Sequence, residues 1–255
     1  MNQCLLLARK DCLILFRSPL AYILLTCLTS IVGYFFAASL QYYELISVQL
    51  TQNPDAIGIS PMELIVAPYL QNTGVILLFF LPLLTMRSFS EEKRMGAFEM
   101  LMSYPITEVQ LAGGKLLVQA IFLAVALALA AVPPLQLSFF TTIEILPFLV
   151  GFGGLFLIGL AFASLGLFLS SLTESQIVAA VLSFASLLLL WVLAWLKEAA
   201  PKGLGPILAS LSIMQHFEQF PKGVIEAADL AYYLTFTVGF FWLTVLSLEN
   251  QRWRG

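Results

Sequence analysis

Long apolar runs alternate with short polar segments along most of the 255-residue chain. Crossing the hydrocarbon core of a bilayer takes roughly 20 apolar residues in a helix. Six stretches are long enough, at about 20–40, 64–86, 110–132, 145–170, 176–196 and 230–248. The pattern therefore predicts an all-α, polytopic membrane protein with six transmembrane helices in one domain that covers residues 1–255.

Two further patterns refine this outline. Residues 1–17 alternate apolar and polar side chains at roughly helical spacing, which predicts an amphipathic helix lying on the membrane surface. A frayed N-terminal tail is the alternative. The fourth run carries five glycines, which let helix backbones approach closely and so predict a span packed against other helices. These glycines are Gly151, Gly153, Gly154, Gly159 and Gly166.

The composition agrees with this outline and excludes other classes of protein. The chain is 60% hydrophobic and only 11% charged, more apolar than a soluble core of this length requires. Its formal net charge of −3 gives no basic field for nucleic acid, so we exclude nucleic-acid binding. The spacing of Cys4, Cys12 and Cys27 matches neither a metal site nor a disulfide framework, and these cysteines are expected to act as small apolar residues.

The distribution of lysine and arginine predicts the orientation in the membrane. With the N-terminus in the cytoplasm, nine of the twelve lie inside: Arg9, Lys10, Arg17, Arg87, Lys93, Arg94, Lys115, Arg252 and Arg254. Only Lys197, Lys202 and Lys222 fall outside. We therefore expect both termini in the cytoplasm. The connections at 41–63, 133–144 and 197–229 then lie outside, and those at 87–106 and 170–175 lie inside.

The connection after the second span holds the densest charge in the chain, since six of the thirteen residues from Arg87 to Glu99 are ionisable. On a single helix, at about 100° per residue, Glu92, Gly96 and Glu99 fall within about 60° of one another. An apolar stripe of Met95, Phe98 and Met102 lies beside them. This arrangement suits a ridge that docks into a groove of another protein. The alternative is a solvated loop helix whose charges only keep it out of the lipid.

Two motifs resemble a known family. Residues 86–106 read M-R-S-F-S-E-E-K-R-x-G-x-x-E-x-L-x-x-x-P-I and continue to Gly114-Lys115, a pattern that resembles the cytoplasmic loop of type 2 ABC transporter permeases. Residues 216–233 read H-F-E-x-F-x-x-G-V-I-x-x-x-D-x-x-Y-Y and are followed by Leu248-Glu249 and a basic C-terminus. That second pattern is similar to the gliding-motility and copper-processing branch of these permeases.

The resemblance implies a type 2 ABC exporter permease fold over essentially the whole chain. Residues 1–17 would form its interfacial helix, 87–106 its cytoplasmic coupling helix and 197–229 its extracytoplasmic gate segment, with a second, smaller contact at 170–175. The residues that would couple to an ATPase are Glu91, Glu92, Lys93, Arg94, Gly96 and Glu99. The implied setting is the inner membrane of a bacterium. The implied partners are cytoplasmic ABC ATPase subunits and a second permease, either a copy or a paralogue.

A nucleotide site is not expected in the chain itself. The phosphate-binding loop G-x-x-x-x-G-K-[ST] needs its first glycine and its terminal hydroxyl, but Val109 and Leu116 occupy those two positions around Gly114-Lys115. We therefore expect no enzyme activity, no catalytic residue and no bound cofactor, with ATP and magnesium used by a separate subunit. Because His216 is the only histidine, a histidine-based metal site is also not expected, and a structural role in the gate segment is favoured for it.

Polar residues within the apolar runs are the candidates for lining a pathway, because such residues prefer a bundle interior. They are Gln71, Asn72, Thr73 and Gln119. The alternative is that they only form hydrogen bonds between helices. No acidic residue lies within the six runs, which counts against an ion-coupled carrier.

We predict the permease subunit of an ATP-driven ABC transporter. It would couple ATP hydrolysis by a separate subunit to export, or to mechanical transmission across the membrane toward a partner with a periplasmic domain. A secondary carrier or channel and a non-transporting membrane scaffold are the alternatives.

Overall fold

The computed structural model describes residues 3–52, 62–104, 106–140, 144–199, 205 and 210–252, and nearly all of them are helical. Their α-helices are α1 (Gln3–Arg17), α2 (Pro19–Gln52), α3 (Ala67–Thr85), α4 (Arg87–Arg94), α5 (Ala97–Ser103), α6 (Glu108–Ala130), α7 (Val132–Leu137), α8 (Ile145–Leu172), α9 (Gln176–Ala199) and α10 (Ala227–Arg252). A π-helical turn at Met62–Val66 leads into α3. Short 3-10 turns at Gln215–Phe217 and Phe220–Lys222 precede α10.

Six of these helices are long and apolar enough to cross a membrane, namely α2, α3, α6, α8, α9 and α10. They follow the predicted order, so the predicted all-α fold with six membrane-crossing helices is confirmed. The first membrane-crossing helix, α2, is longer than predicted. It has 34 residues, which at 1.5 Å per residue is about 50 Å, whereas the hydrocarbon core is about 30 Å thick. Residues 41–52, predicted as part of a loop, therefore continue this helix.

The predicted connections are only partly covered by the structure. The turn at 133–144 contains α7, whose first turn accommodates Pro133, as the missing amide of proline allows there. Residues 53–61, 141–143, 200–204 and 206–209 lie outside the described residues, and with them much of the predicted gate segment at 197–229.

The fourth long helix, α8, packs against α3, α6, α9 and α10. A β-carbon on Gly166 would lie 2.2 Å from Thr85 Oγ1, and one on Gly159 would lie 2.5 Å from a δ-carbon of Leu123, so only glycine permits these approaches. Gly151 and Gly154 are crowded in the same way, whereas Gly153 has nothing within 4 Å. The predicted close packing of this span is confirmed at four of its five glycines.

The bundle has two distinct ends. At one, called the proximal end, α1, the α3–α6 connection, the α8–α9 turn and the C-terminal part of α10 are in mutual contact. At the other, the distal end, the Tyr69 hydroxyl donates to the carbonyl of Ala130 and the Tyr233 hydroxyl donates to that of Ile213 at 2.7 Å. Both ends of the described chain therefore lie at the proximal end, as six crossings require.

Candidate functional site

The charged segment at the proximal end folds as two short helices. The first, α4, ends with a Met95 amide that donates to the Glu91 carbonyl, and Gly96 then takes the left-handed conformation with φ +70° before α5 begins. Residues with a β-carbon reach this conformation at a cost of roughly 1–2 kcal/mol. The helix axis changes direction at Gly96, so the predicted single face shared by Glu92, Gly96 and Glu99 is wrong.

Glu92 faces inward and is paired with a buried lysine. Lys115 of α6 is only 6% exposed, and its Nζ lies 2.8 Å from Glu92 Oε1 and 3.6 Å from Asp11 Oδ2. The same ammonium lies 4.9 Å from the ring centroid of Phe89. A buried ammonium is stable only with such partners. We call these four residues the Lys115 cluster, and through it α1, α4 and α6 are joined.

A second buried contact fixes the start of α4 to α8. The hydroxyl oxygen of Ser170 accepts the amides of Phe89 at 3.1 Å and Ser90 at 3.3 Å, and the same hydroxyl donates to the carbonyl of Met86 at 3.1 Å. Met86 is the one residue between α3 and α4, and Ser170 supplies a partner for two amides in the first turn of α4. Every hydrogen-bonding position of this hydroxyl is thereby used.

Lys93 connects α4 to the end of α8 and to α10. Its ammonium donates to the carbonyl of Ser171 and lies 5.2 Å from the ring centroid of Phe98. The side-chain amide of Gln251 donates to the same carbonyl at 2.8 Å. Close by, Arg252 of α10 bonds Glu108 at the start of α6 at 2.6 Å. The proximal end is therefore tied together across α4, α6, α8 and α10.

The outward surface of this region differs from the predicted one. Its exposed residues are Arg94, Met95, Gly96, Glu99, Met100 and Tyr104, called here the α4–α5 surface. Of the six predicted coupling residues, Arg94, Gly96 and Glu99 lie on it, while Glu91, Glu92 and Lys93 are partly buried. The predicted apolar stripe is wrong at Phe98, which is 9% exposed and packs in a core cluster with Phe89. The side chain of Met102 lies outside the described residues.

The structure does not bring the four candidate pathway residues together. Thr73 is buried and donates to the carbonyl of Tyr69 in its own helix, and Gln71 and Asn72 lie beside it toward the distal end. Gln119 lies at the middle of α6, where its Nε2 donates to Ser88 Oγ at 2.7 Å. Eleven residues of α6, roughly 16 Å, separate Gln119 from Ala130, the partner of Tyr69.

His216 lies at the distal end in a polar contact with α10. Its Nδ1 is 2.7 Å from Asp229 Oδ1, its Nε2 is 3.2 Å from the Ser210 carbonyl, and its ring stacks on Tyr232 at 4.1 Å. Both ring nitrogens face acceptors, and only the doubly protonated imidazole can donate to both. Asp229 is 5% exposed. The arrangement supports the structural role predicted for His216, because it fixes the segment before α10 to that helix.

Three residues that position this site were not predicted for it, namely Asp11, Lys115 and Ser170. Lys115 carried a usable signal, because a single cation inside an apolar run must find a partner in the bundle. The break at Gly96 also had one, since Lys93 and Arg94 followed by a glycine form a helix-stop pattern. Ser170 gave no signal, as a serine near a span end has many possible partners.

Nearly the whole chain matches a known protein family. Residues 5–250 match the family described as ABC-2 family transporter protein. The matched region includes α1, the α4–α5 surface and all six long helices. No curated protein matches the chain.

Proposed function

Because this chain belongs to the ABC-2 family of transporter proteins, the membrane components of ABC transporters, we propose that it receives ATP-driven motion from a separate cytoplasmic ATPase at the α4–α5 surface. In this proposal the proximal end faces the cytoplasm of a bacterium and the bundle lies in its inner membrane. The orientation is supported by the cations of α1, α4, α6 and α10 at that end, against Lys197 and Lys222 at the distal end.

The observation that carries the proposal is the position of α4. Its outward neighbours form an exposed surface with two methionines, one tyrosine and one charge of each sign, a composition suited to a protein contact. Its inward side is held by Lys115 of α6 and Ser170 of α8. A displacement of the surface therefore acts on the long helices directly, and a rigid-body or shear motion of the bundle is the expected response.

A second permease subunit, an identical copy or a paralogue, completes the proposal. The cavity between α2, α3 and α6 measures about 10 Å³, room for no more than one water, so these helices pack without leaving a passage between them. In this proposal a pathway forms between the two permeases. Export of a solute and mechanical transmission to a partner with a periplasmic domain both remain within this proposal, since each needs the same input at α4.

The positions of the buried ionisable groups favour this function over that of an ion-coupled carrier. Among the described residues, the fully buried charges Lys115 and Asp229 lie at opposite ends of the bundle, and each is paired with a neighbouring side chain. An ion-coupled carrier needs such a group or an unwound helix near the membrane midplane.

Co-purification tests the proposal. When the chain is expressed with its neighbouring genes and purified in detergent, an ATPase subunit should accompany it. Arg94→Glu and Glu99→Lys should each lower the amount of bound ATPase by about tenfold, because they reverse charges at the rim of the contact. Thermal unfolding of the permease should not change, since both side chains are exposed.

Glu218→Lys and Lys222→Glu are matched controls, as they reverse exposed charges at the distal end. They should leave the amount of ATPase unchanged. If both proximal variants retain the ATPase, the α4–α5 surface is only a solvated loop. If the wild-type chain carries no ATPase, the ATP-driven function itself is contradicted.

A further inference from the structure

A cavity of about 320 Å³ lies at the proximal end between α1, the α4–α5 region and α6. Much of its wall is apolar and comes from four helices: Ile14 and Leu15 of α1, Leu20 of α2, Leu84 of α3 and Val118 of α6. Leu20 begins the first apolar run and Leu84 lies near the end of the second, and the charged residues Lys10, Asp11 and Arg87 lie beside them in the cavity wall. The cavity therefore lies at the depth where the hydrocarbon core of a bilayer gives way to lipid headgroups.

Three polar side chains of the cavity wall have a buried atom without a hydrogen-bond partner among the described residues. They are Nε of Arg87, Oε2 of Glu92 and Oε1 of Gln119. Gln119 is 3% exposed, and its amide nitrogen is already used by Ser88. An unpartnered buried polar group costs roughly 1–3 kcal/mol. One donor and two acceptors lie just within the wall of one cavity, and once small side-chain rotations bring them to its surface they are complementary to a ligand that offers both kinds of group.

The charge of the cavity wall restricts the ligand further. Its ionisable residues are Lys10, Arg87, Lys115, Asp11, Glu91 and Glu92, three of each sign. A purely anionic ligand would be repelled by three carboxylates, and a purely cationic ligand would be repelled by three cations. A zwitterion, with its positive and negative groups close together, matches this balance.

We propose that the cavity binds the headgroup of a zwitterionic aminophospholipid such as phosphatidylethanolamine. Arg87 would bind the phosphate, which a guanidinium recognises well, and Glu92 and Gln119 would accept hydrogen bonds from the primary ammonium. The apolar wall would contact the start of the acyl chains.

A lipid in this cavity would contact α1 and α4 at once, next to the Lys115 cluster. It would therefore stabilise the relative positions of the two elements that the cluster joins. This lipid binding needs no ATPase partner, so it can be measured on the permease by itself.

Native mass spectrometry of the detergent-purified chain tests the proposal. The chain is titrated with phosphatidylethanolamine, phosphatidylcholine and phosphatidylglycerol that carry identical acyl chains. One phosphatidylethanolamine per chain should be retained about tenfold more tightly than either of the others. The quaternary ammonium of phosphatidylcholine cannot donate a hydrogen bond, and phosphatidylglycerol has no cation to place beside Glu92.

Two variants locate the binding, and a third controls for the change of residue type. Gln119→Leu should abolish the preference for phosphatidylethanolamine over phosphatidylcholine, whereas Gln136→Leu, at an exposed position of α7, should retain it. Ile14→Trp should lower the binding of all three lipids, because it fills the cavity from the exposed side of α1 without altering its polar groups.

Thermal unfolding in detergent checks that each variant is folded, and Ile14→Trp decides the outcome if Gln119→Leu does not fold. Equal retention of the three lipids by the wild-type chain would overturn the proposal. An unchanged preference in folded Gln119→Leu, or unchanged lipid binding in folded Ile14→Trp, would also overturn it, because the lipid would then bind elsewhere.

Discussion

Glu92 of α4 lies 2.8 Å from Lys115 of α6, and neither side chain is more than 15% exposed. The acid therefore braces α4 against a membrane-crossing helix and does not face outward. Asp11 of α1 adds a second carboxylate 3.6 Å from the same ammonium. An ionic contact of this kind is costly to break at one partner only, because the other charges stay behind in a poorly hydrated place.

Lys115→Met should therefore lower the free energy of unfolding by about 3 kcal/mol, since it leaves Glu92 and Asp11 without their cation. Chemical unfolding of the purified chain in detergent measures the change. Lys10→Met is the control: its side chain is 53% exposed and its ammonium lies 3.8 Å from Asp11 Oδ1, so the expected loss is below about 1 kcal/mol.

Adding Glu92→Gln to Lys115→Met should recover part of the stability, because it removes one of the two unpaired carboxylates. If Lys115→Met were as stable as Lys10→Met, the Lys115 cluster would not contribute to holding α4.

Ser170→Ala should lower the free energy of unfolding by about 1–3 kcal/mol, because the buried amides of Phe89 and Ser90 lose their acceptor. Ser164→Ala is a matched control on the same helix. Its hydroxyl is equally buried, but among the described residues it bonds only the Ala161 carbonyl of its own helix, so the expected change is small. Equal effects of the two substitutions, compared by thermal unfolding, would show that Ser170 does not fix the start of α4.

Substitution of two glycines in α8 should have opposite effects. Gly166→Ala places a methyl group 2.2 Å from Thr85 Oγ1 and should cost about 1–3 kcal/mol through overpacking. Gly153→Ala meets open space and should be neutral or stabilising by up to about 1 kcal/mol, the helix preference of alanine over glycine. The midpoint of thermal unfolding should therefore fall for Gly166→Ala and stay the same or rise for Gly153→Ala. A loss of stability at Gly153 as large as that at Gly166 would contradict this account of the packing of α8.

His216→Leu should destabilise the distal end, because it leaves the buried Asp229 without its partner. Asp229 Oδ2 already has none among the described residues, so the whole carboxylate would be unpaired. The expected cost is about 3 kcal/mol, seen in thermal unfolding and in faster proteolysis of residues 210–226. Adding Asp229→Asn should reduce that cost. Cleavage no faster than in the wild-type chain would show that the segment is held by other contacts.

The sequence alone predicted the number and order of the membrane-crossing helices correctly. It could do so because the length of an apolar run is a local property, set against a fixed membrane thickness. The close approach of α8 to its neighbours was also predictable, since glycine in such a run has few other uses. The match to the ABC-2 family over residues 5–250 agrees with the resemblance seen in the motif that begins at Met86.

Only the tertiary structure decided which of the charged residues face outward. Helical spacing assumes one straight axis, and the left-handed residue Gly96 changes that axis between Glu92 and Glu99. The partners of Lys115 and Ser170 come from helices far apart in sequence, so no spacing rule could name them. The sequence thus determined that a charged segment joins α3 to α6. Long-range packing determined that Glu92 of this segment contacts Lys115 inside the bundle, while Glu99 stays on the surface.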